Sequence, residues 1–521
     1  MKNPLGFLCL LLLSGSVHAD VKLPGVFSDH MVLQRDQPVP VWGTANPGER
    51  VTVKFRTQTK FAVADATGKW QVKLEPLKAG GPDKLIVNSI EFDDVLVGEV
   101  WVGSGQSNMG ATVRWAISQN DTGMMTLVAA GPYPQIREFG VAGLLQSHVP
   151  GRWRIADTNA VQTFSALQFA FGVRLQKELK VPIGLIIGSV SGSPSGAWLS
   201  RDMLKSAADC QAVIQEFAKK FDTAAELKAY ASVHAKWQQA VAEAKAQKKP
   251  EPQAPCPPRS PGEVNCGKVG THFETYIRPV IPHGIRGVLW DQGESGTAII
   301  GLPDQGLLMG ALIRGWRRDW GQDDFPFIYV QKPSGGGCAW DYTNPVTRRA
   351  DPFSALPAAV NGDPIAGGAA PFLKIMKYPN TAMVIASDLG AGQGNHPDNK
   401  SGYGHRAADV ALGMTYRKPI EYYGPVYESH TVTGAVVRVK FNHIGQGLAF
   451  RHGDKLQGFA LAGTDKIFHW ADATIDGDAV VLTSAKVTQP VAVSYAWARD
   501  RTWANLFNQD GLPALPFHTE H

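Results

Sequence analysis

Four apolar runs, at residues 181–190, 285–290, 325–331 and 381–386, alternate along the chain with helical patterns at 167–179 and 306–319. Continuous apolar runs of this length suit strands buried on both faces, and strands separated by helices pair in parallel, so the pattern predicts an α/β domain built on a doubly wound parallel sheet. In such a sheet ligands sit beyond the carboxyl ends of the strands. Gly192, Gln292 and Asp388 each follow one of these runs, and Ser107 follows a fifth at 95–102. Those four positions are therefore expected to converge.

The flanks have a different character. Residues 20–97 read as a small all-β unit: Val51-Thr52-Val53-Lys54-Phe55 and Trp70-Gln71-Val72-Lys73-Leu74 alternate, with turn signals at Asn46-Pro47-Gly48 and Ala66-Thr67-Gly68. Residues 98–422 carry the α/β pattern, interrupted at 204–267. There an Ala, Lys, Glu and Gln-rich helical stretch, with Phe217, Ala224, Leu227, Tyr230 and Trp237 at helical intervals, runs into a proline-rich segment. Residues 423–521 return to strands, expected at 432–439, 456–461, 480–482 and 491–497.

Residues 1–19 read as a secretory signal, with Lys2, an apolar core at 8–13 and a small-residue cleavage site at Val17-His18-Ala19. This predicts a periplasmic or extracellular protein with no membrane association once the leader is removed. Downstream of it lie Cys210, Cys256, Cys266 and Cys338. They lack the paired spacing of a zinc site and can form two bridges with three connectivities, Cys256 with Cys266 stapling the insertion. A net charge of +5 over 521 residues, without a basic stripe, argues against a nucleic-acid partner.

The chemistry begins at Gly105-Gln106-Ser107-Asn108, a serine on a strand-to-loop turn, with His396-Pro397 far downstream. A hydroxyl is a poor nucleophile at neutral pH and needs a base to take its proton, so a serine and a distant histidine are the minimal kit for acyl transfer.

Four segments carry a wider resemblance: Gly103-Ser104-Gly105-Gln106-Ser107-Asn108-Met109, Gly188-Ser189-Val190-Ser191-Gly192-Ser193-Pro194, Trp290-Asp291-Gln292-Gly293-Glu294-Ser295 and Asn395-His396-Pro397-Asp398-Asn399-Lys400. Together they resemble the SGNH hydrolase superfamily, and within it the sialate O-acetylesterase-like carbohydrate esterases. The resemblance implies a flavodoxin-like sheet flanked by β-sandwich or jelly-roll-like domains. It also implies Ser107 as nucleophile, His396 as general base, and an oxyanion hole from the Ser107 and Gly192 backbone N–H groups and the Gln292 side-chain amide. Glycine at 192 would leave room for the substrate's close approach. Asn108, Lys400 and Arg406 are expected to brace this machinery.

The family usually has an aspartate two or three residues before the histidine, where Gln393 and Gly394 stand here. The orienting group is then Asp388, Glu294, a neutral carbonyl, or nothing. Glu294 has the further options of holding Gln292, touching a sugar or bracing the loop. The segment Gly335-Gly336-Gly337-Cys338-Ala339-Trp340-Asp341-Tyr342 replaces a plainer family connection, and Trp340 and Tyr342 are either a sugar-stacking platform on a mobile loop or ordinary packing.

Two functions follow. One is a secreted serine esterase that removes acetyl groups from hydroxyls of an acetylated oligosaccharide or polysaccharide, a sialoside or a plant cell-wall polymer such as xyloglucan, with no cofactor and no metal. The other is a non-catalytic carbohydrate-binding protein on a hydrolase scaffold. The sequence leaves the oligomeric state open.

Overall fold

The computed structural model describes residues 21–141, 151–360, 369–390 and 394–519; the secretory signal expected at 1–19 and Gln393 lie outside them. At its centre is a mixed sheet. Its main strands are β1 (Ile90–Gly105), β2 (Tyr133–Gly140), β3 (Trp153–Ala156), β4 (Ile183–Ser189), β5 (Gly287–Asp291), β6 (Phe327–Val330) and β7 (Thr381–Val384), in the order β7-β6-β5-β1-β4-β2-β3. All neighbours in this path pair in parallel except β2 and β3, which are antiparallel. Strands β4, β5 and β6 are buried throughout. Their uninterrupted apolar runs are the sequence signature of that double-sided burial.

Helices complete the layers. Among them are α1 (Ser107–Gly110), α2 (Ala166–Leu179), α3 (Thr223–Ala246), α4 (Gln305–Trp320) and α5 (Lys400–Met414). Each long sheet-covering helix starts on a side-chain cap: Ser165 Oγ accepts from Gln168 N, Asp304 from Leu307 N and Asn399 from Gly402 N. Helix α4 ends at Gly321 in the left-handed region (φ 64°).

Strand β1 is 16 residues long and serves two structures at once. Its first half pairs antiparallel with Gly80–Val87, and Leu96–Gly98 pair in parallel with Val32–Gln34. Its second half pairs with β4 and β5. The expected boundary between 97 and 98 therefore falls inside a strand, and a single hydrophobic core runs from Val21 through the α/β layers to Leu515. The carboxylate of Glu99, buried at the crossing point, is held by Arg35 at 2.5 Å and Arg286 at 2.7 Å.

Strands β2 and β3 escaped the sequence reading. Strand β2 contains Pro134, Arg137 and Glu138, so it shows no apolar run, yet its last five residues are buried. The charges are tolerated because Arg137 pairs with Asp94 at 2.9 Å and Glu138 accepts from Ser165 N at 2.8 Å.

A second core, from Val437 to Phe517, lies among the C-terminal strands, which form two four-stranded sheets and a two-stranded one. Residues 432–439, expected as one strand, instead span the turn of a hairpin between Val426–Thr433 and Val436–Asn442, because Gly434 takes φ 61° and reverses the chain. In the insertion α3 has no buried residue at all. Cys256 and Cys266 are joined by a disulfide, while Cys210 and Cys338 are buried free thiols whose pKa burial pushes up to about 12. Among the described residues no helix is long and apolar enough to cross a membrane.

Candidate active site

Ser107 sits where β1 ends and α1 begins. The turn requires glycine just before it: Gly105 has φ +129°, and a Cβ there would lie 2.2 Å from the Asp291 carbonyl oxygen at the end of β5. The next strand is pinned at the same level, with Val190 N donating to Gly105 O at 3.0 Å and Gln106 N to Asp291 O at 2.9 Å. The carboxyl ends of β1, β4 and β5 thus meet at the serine, as the switch-point rule for parallel sheets demands.

His396 comes from the loop leading into α5, and its Nε2 lies 2.7 Å from Ser107 Oγ. The histidine is exposed and the serine half-buried, so the pair opens to solvent. Gly192 is exposed and has φ +69°, with open space where a Cβ would stand. Its backbone conformation, rather than crowding, is what favours glycine here. Among the described residues neither the Ser107 nor the Gly192 backbone N–H donates to another protein group. Both remain available as donors.

Gln292 stands differently from expectation. It is fully buried, and its amide donates to Ser193 O at 3.3 Å and to Gly296 O at 3.2 Å while its oxygen accepts from Gln305 Nε2 at 3.1 Å. With both N–H groups engaged, this side chain ties the Ser193 and Gly296 loops together and has no donor left to aim at a substrate oxygen.

Neither candidate acid reaches the histidine. Both oxygens of buried Asp388 accept from Arg406, at 3.2 and 2.8 Å. The ion pair engages both oxygens, and among the described residues the carboxylate makes no hydrogen bond to the His396 ring. Glu294 instead pairs with Lys332 at 2.7 Å and accepts from Asn108 Nδ2 at 2.9 Å. Among the described residues, the hydrogen bond to Ser107 is the one made by the His396 ring.

Beneath the serine lies a cluster of charges, with Asp291, Lys332 and Lys400 buried and Glu294 partly exposed, whose full extent the sequence reading missed. Lys332 bridges Glu294 and Asp291, the latter at 3.0 Å, and Lys400 donates to Asn108 Oδ1 at 2.7 Å. Burial pushes the Asp291 carboxyl up despite Lys332. For Glu294 the burial effect is outweighed by the Lys332 ammonium, which holds it below the usual carboxylate range. Burial would lower Lys332, but the two carboxylates raise it above its ordinary value. Lys400, which lacks so close a carboxylate, is lowered by burial to about 8. The available signal for Lys332 was a lysine directly after the buried run at 325–331.

A cavity of about 280 Å³ opens beside this cluster, bordered by Glu294, Lys332, Phe372, Asn395 and, from a loop of the C-terminal region, Arg499. Trp340 and Tyr342 do not border it. Trp340 packs edge-on against Phe507 with ring centroids 5.7 Å apart and beneath Arg451, and the Tyr342 hydroxyl donates to Asp351 O at 2.9 Å. Gly335–Gly337 are buried rather than a free loop, and a Cβ on Gly335 would lie 2.0 Å from Arg499 O. Both aromatics make ring contacts with the C-terminal region, Trp340 with Phe507 and Tyr342 with His452.

No protein-family model matches the chain. It is similar to proteins named sialate O-acetylesterase from mouse, at 26% identity over 98% of this chain and 96% of the relative, and from human, at 24% over 94% and 91%. Among solved structures it is similar to a carbohydrate acetylesterase from Xanthomonas citri, with a TM-score of 0.72 and 29% identity over 96% of this chain and 99% of that one. The fold and these relatives make the protein an esterase. The resemblance read from its motifs, to sialate O-acetylesterase-like carbohydrate esterases, is the one these relatives bear out.

Proposed function

We propose that the protein is a carbohydrate O-acetylesterase that works through an acetyl-Ser107 intermediate. The observation that carries this reading is the 2.7 Å contact between His396 Nε2 and Ser107 Oγ at the carboxyl ends of parallel strands. As Ser107 Oγ attacks the acetyl carbonyl, His396 takes its proton, and the charge on the former carbonyl oxygen is met by the Ser107 and Gly192 N–H groups. Collapse breaks the bond to the sugar oxygen, which leaves with the proton from His396. Water, deprotonated by the same imidazole, then attacks the acetyl-serine and releases acetate and free Ser107.

The parallel order of β7-β6-β5-β1-β4-β2 supports reading the central sheet as the SGNH, flavodoxin-like kind. We read 20–97 and 423–521 as β units flanking a catalytic region at 98–422, and 1–19 as an export signal that directs the protein to the periplasm or beyond the cell. The substrate class is an acetylated sugar, with sialosides and plant cell-wall polymers as the two candidates, the former by the names of the mammalian relatives. The intact Ser107–His396 pair disfavours a purely binding role.

Acetate release from acetylated sialosides, xyloglucan, xylan and pectin tests the reading. Release from at least one, abolished in Ser107→Ala, is the expected result. Binding of these glycans without any release would overturn it.

A further inference from the structure

Asn108 follows Ser107 directly, is buried, and makes three hydrogen bonds to three different parts of the fold. Its Oδ1 accepts from Lys400 Nζ at 2.7 Å, and its Nδ2 donates to Glu294 Oε1 and to the backbone carbonyl of Asn395, each at 2.9 Å. The orientation of the amide is unambiguous. An ammonium offers only donors and a carboxylate and a carbonyl only acceptors, so a flipped amide would lose all three bonds. Both N–H groups are used, which leaves Asn108 no donor for a substrate or an oxyanion.

Asn395 immediately precedes His396. One side chain, rooted beside the nucleophile, therefore grips the backbone beside the base. Glu294 and Lys400 hold the amide from either side, and Lys332 holds Glu294 in turn at 2.7 Å. We propose that Asn108 is the positioning residue of the general base: through the Asn395 carbonyl it sets where the His396 ring stands over Ser107, the task an orienting carboxylate performs on the ring itself in a full triad. This inference rests on the roles of Ser107 and His396 given above. It assigns to the Lys332–Glu294–Asn108–Lys400 cluster the purpose of keeping that amide in register.

The test uses the full chain with Asn108→Ala, Asn108→Asp and Ser107→Ala, reading kcat and KM on an aryl acetate and the rate of labelling by a fluorophosphonate. A base displaced by about 1 Å costs turnover on the order of 100-fold, so both Asn108 variants should lose about that factor in kcat and in labelling rate. KM should stay within about threefold, because the substrate contacts remain. Asn108→Asp keeps the volume and the Lys400 bond but replaces the donors with an oxygen facing Glu294 and Asn395 O. It decides the matter should the alanine variant fail to fold. A kcat within about threefold of the parent in the folded variants, or an effect carried by KM alone, overturns the proposal while Ser107→Ala is inactive. Turnover surviving in Ser107→Ala would instead overturn the catalytic reading on which the proposal stands.

Discussion

Ser107 and His396 are 289 positions apart in the chain, and their side chains lie 2.7 Å apart in the fold. The serine is held by the turn between β1 and α1, and the histidine by a loop that α5 and Asn108 anchor from two sides. Without a base beside it a serine hydroxyl is a poor nucleophile at neutral pH.

Removing either partner should therefore remove most of the chemistry. Ser107→Ala and His396→Ala are each expected to lower acetate release from aryl acetates by about 1,000-fold or more, with the two losses far from additive because the residues act as one unit. Steady-state kinetics on the single and double variants checks this. More than about a tenth of parental activity in Ser107→Ala would remove it as nucleophile.

Gln292 holds two loops through buried bonds to Ser193 O and Gly296 O. Gln292→Ala takes a partner from Ser193 O and from Gln305 Nε2, while Gly296 O keeps its bonds from Ser195, and should lower stability by about 1–3 kcal/mol. Urea unfolding measures the change. An unmoved midpoint alongside a large fall in kcat would restore the amide to an oxyanion role.

Asp388 and Arg406 form a buried bidentate pair. Breaking such a pair from one side typically costs about 3–5 kcal/mol, so Asp388→Asn should be chiefly a stability defect. The folded fraction of the variant should keep turnover within about tenfold of the parent, whereas loss of a histidine-orienting aspartate costs about 10,000-fold. Kinetics normalised to active sites, beside a melting curve, separates the two.

His283 is buried among Phe27, Trp42 and Trp153, with Nε2 3.2 Å from Val32 O, and burial lowers its pKa from 6.5 to about 4. Below pH 6.5 the unfolded chain takes up a proton at this ring that the folded protein refuses until about pH 4. Stability is thus present above 6.5 and lost as pH falls toward 4, on the order of 3 kcal/mol from this residue. Unfolding free energies of the parent and His283→Gln, measured between these pH values, should converge as the pH falls. Parallel curves would refute the assignment.

Much of this protein is written locally. The apolar runs at 181–190 and 285–290 become β4 and β5 because a strand covered on both faces must be apolar along its whole length. Turn residues and caps such as Asp304 are local too, and so is the short Cys256–Cys266 loop. Ser107 and His396 were legible because the chemistry proposed for them restricts the residue types in their motifs. Partner choice was not. Strand β2 hides behind Arg137 and Glu138, whose burial is acceptable only because Asp94 and Ser165 arrive from elsewhere in the chain. Asp388 lay on the same loop as His396 and looked like its acid, but Arg406, one turn and a half into α5, takes both of its oxygens. Gln292 and Trp340 likewise meet Ser193 and Phe507, neighbours that sequence distance conceals. A hydrogen bond or ion pair needs two groups at one place, and the sequence determines which groups exist and the strands they follow, while only the packing of distant segments decides which of them meet.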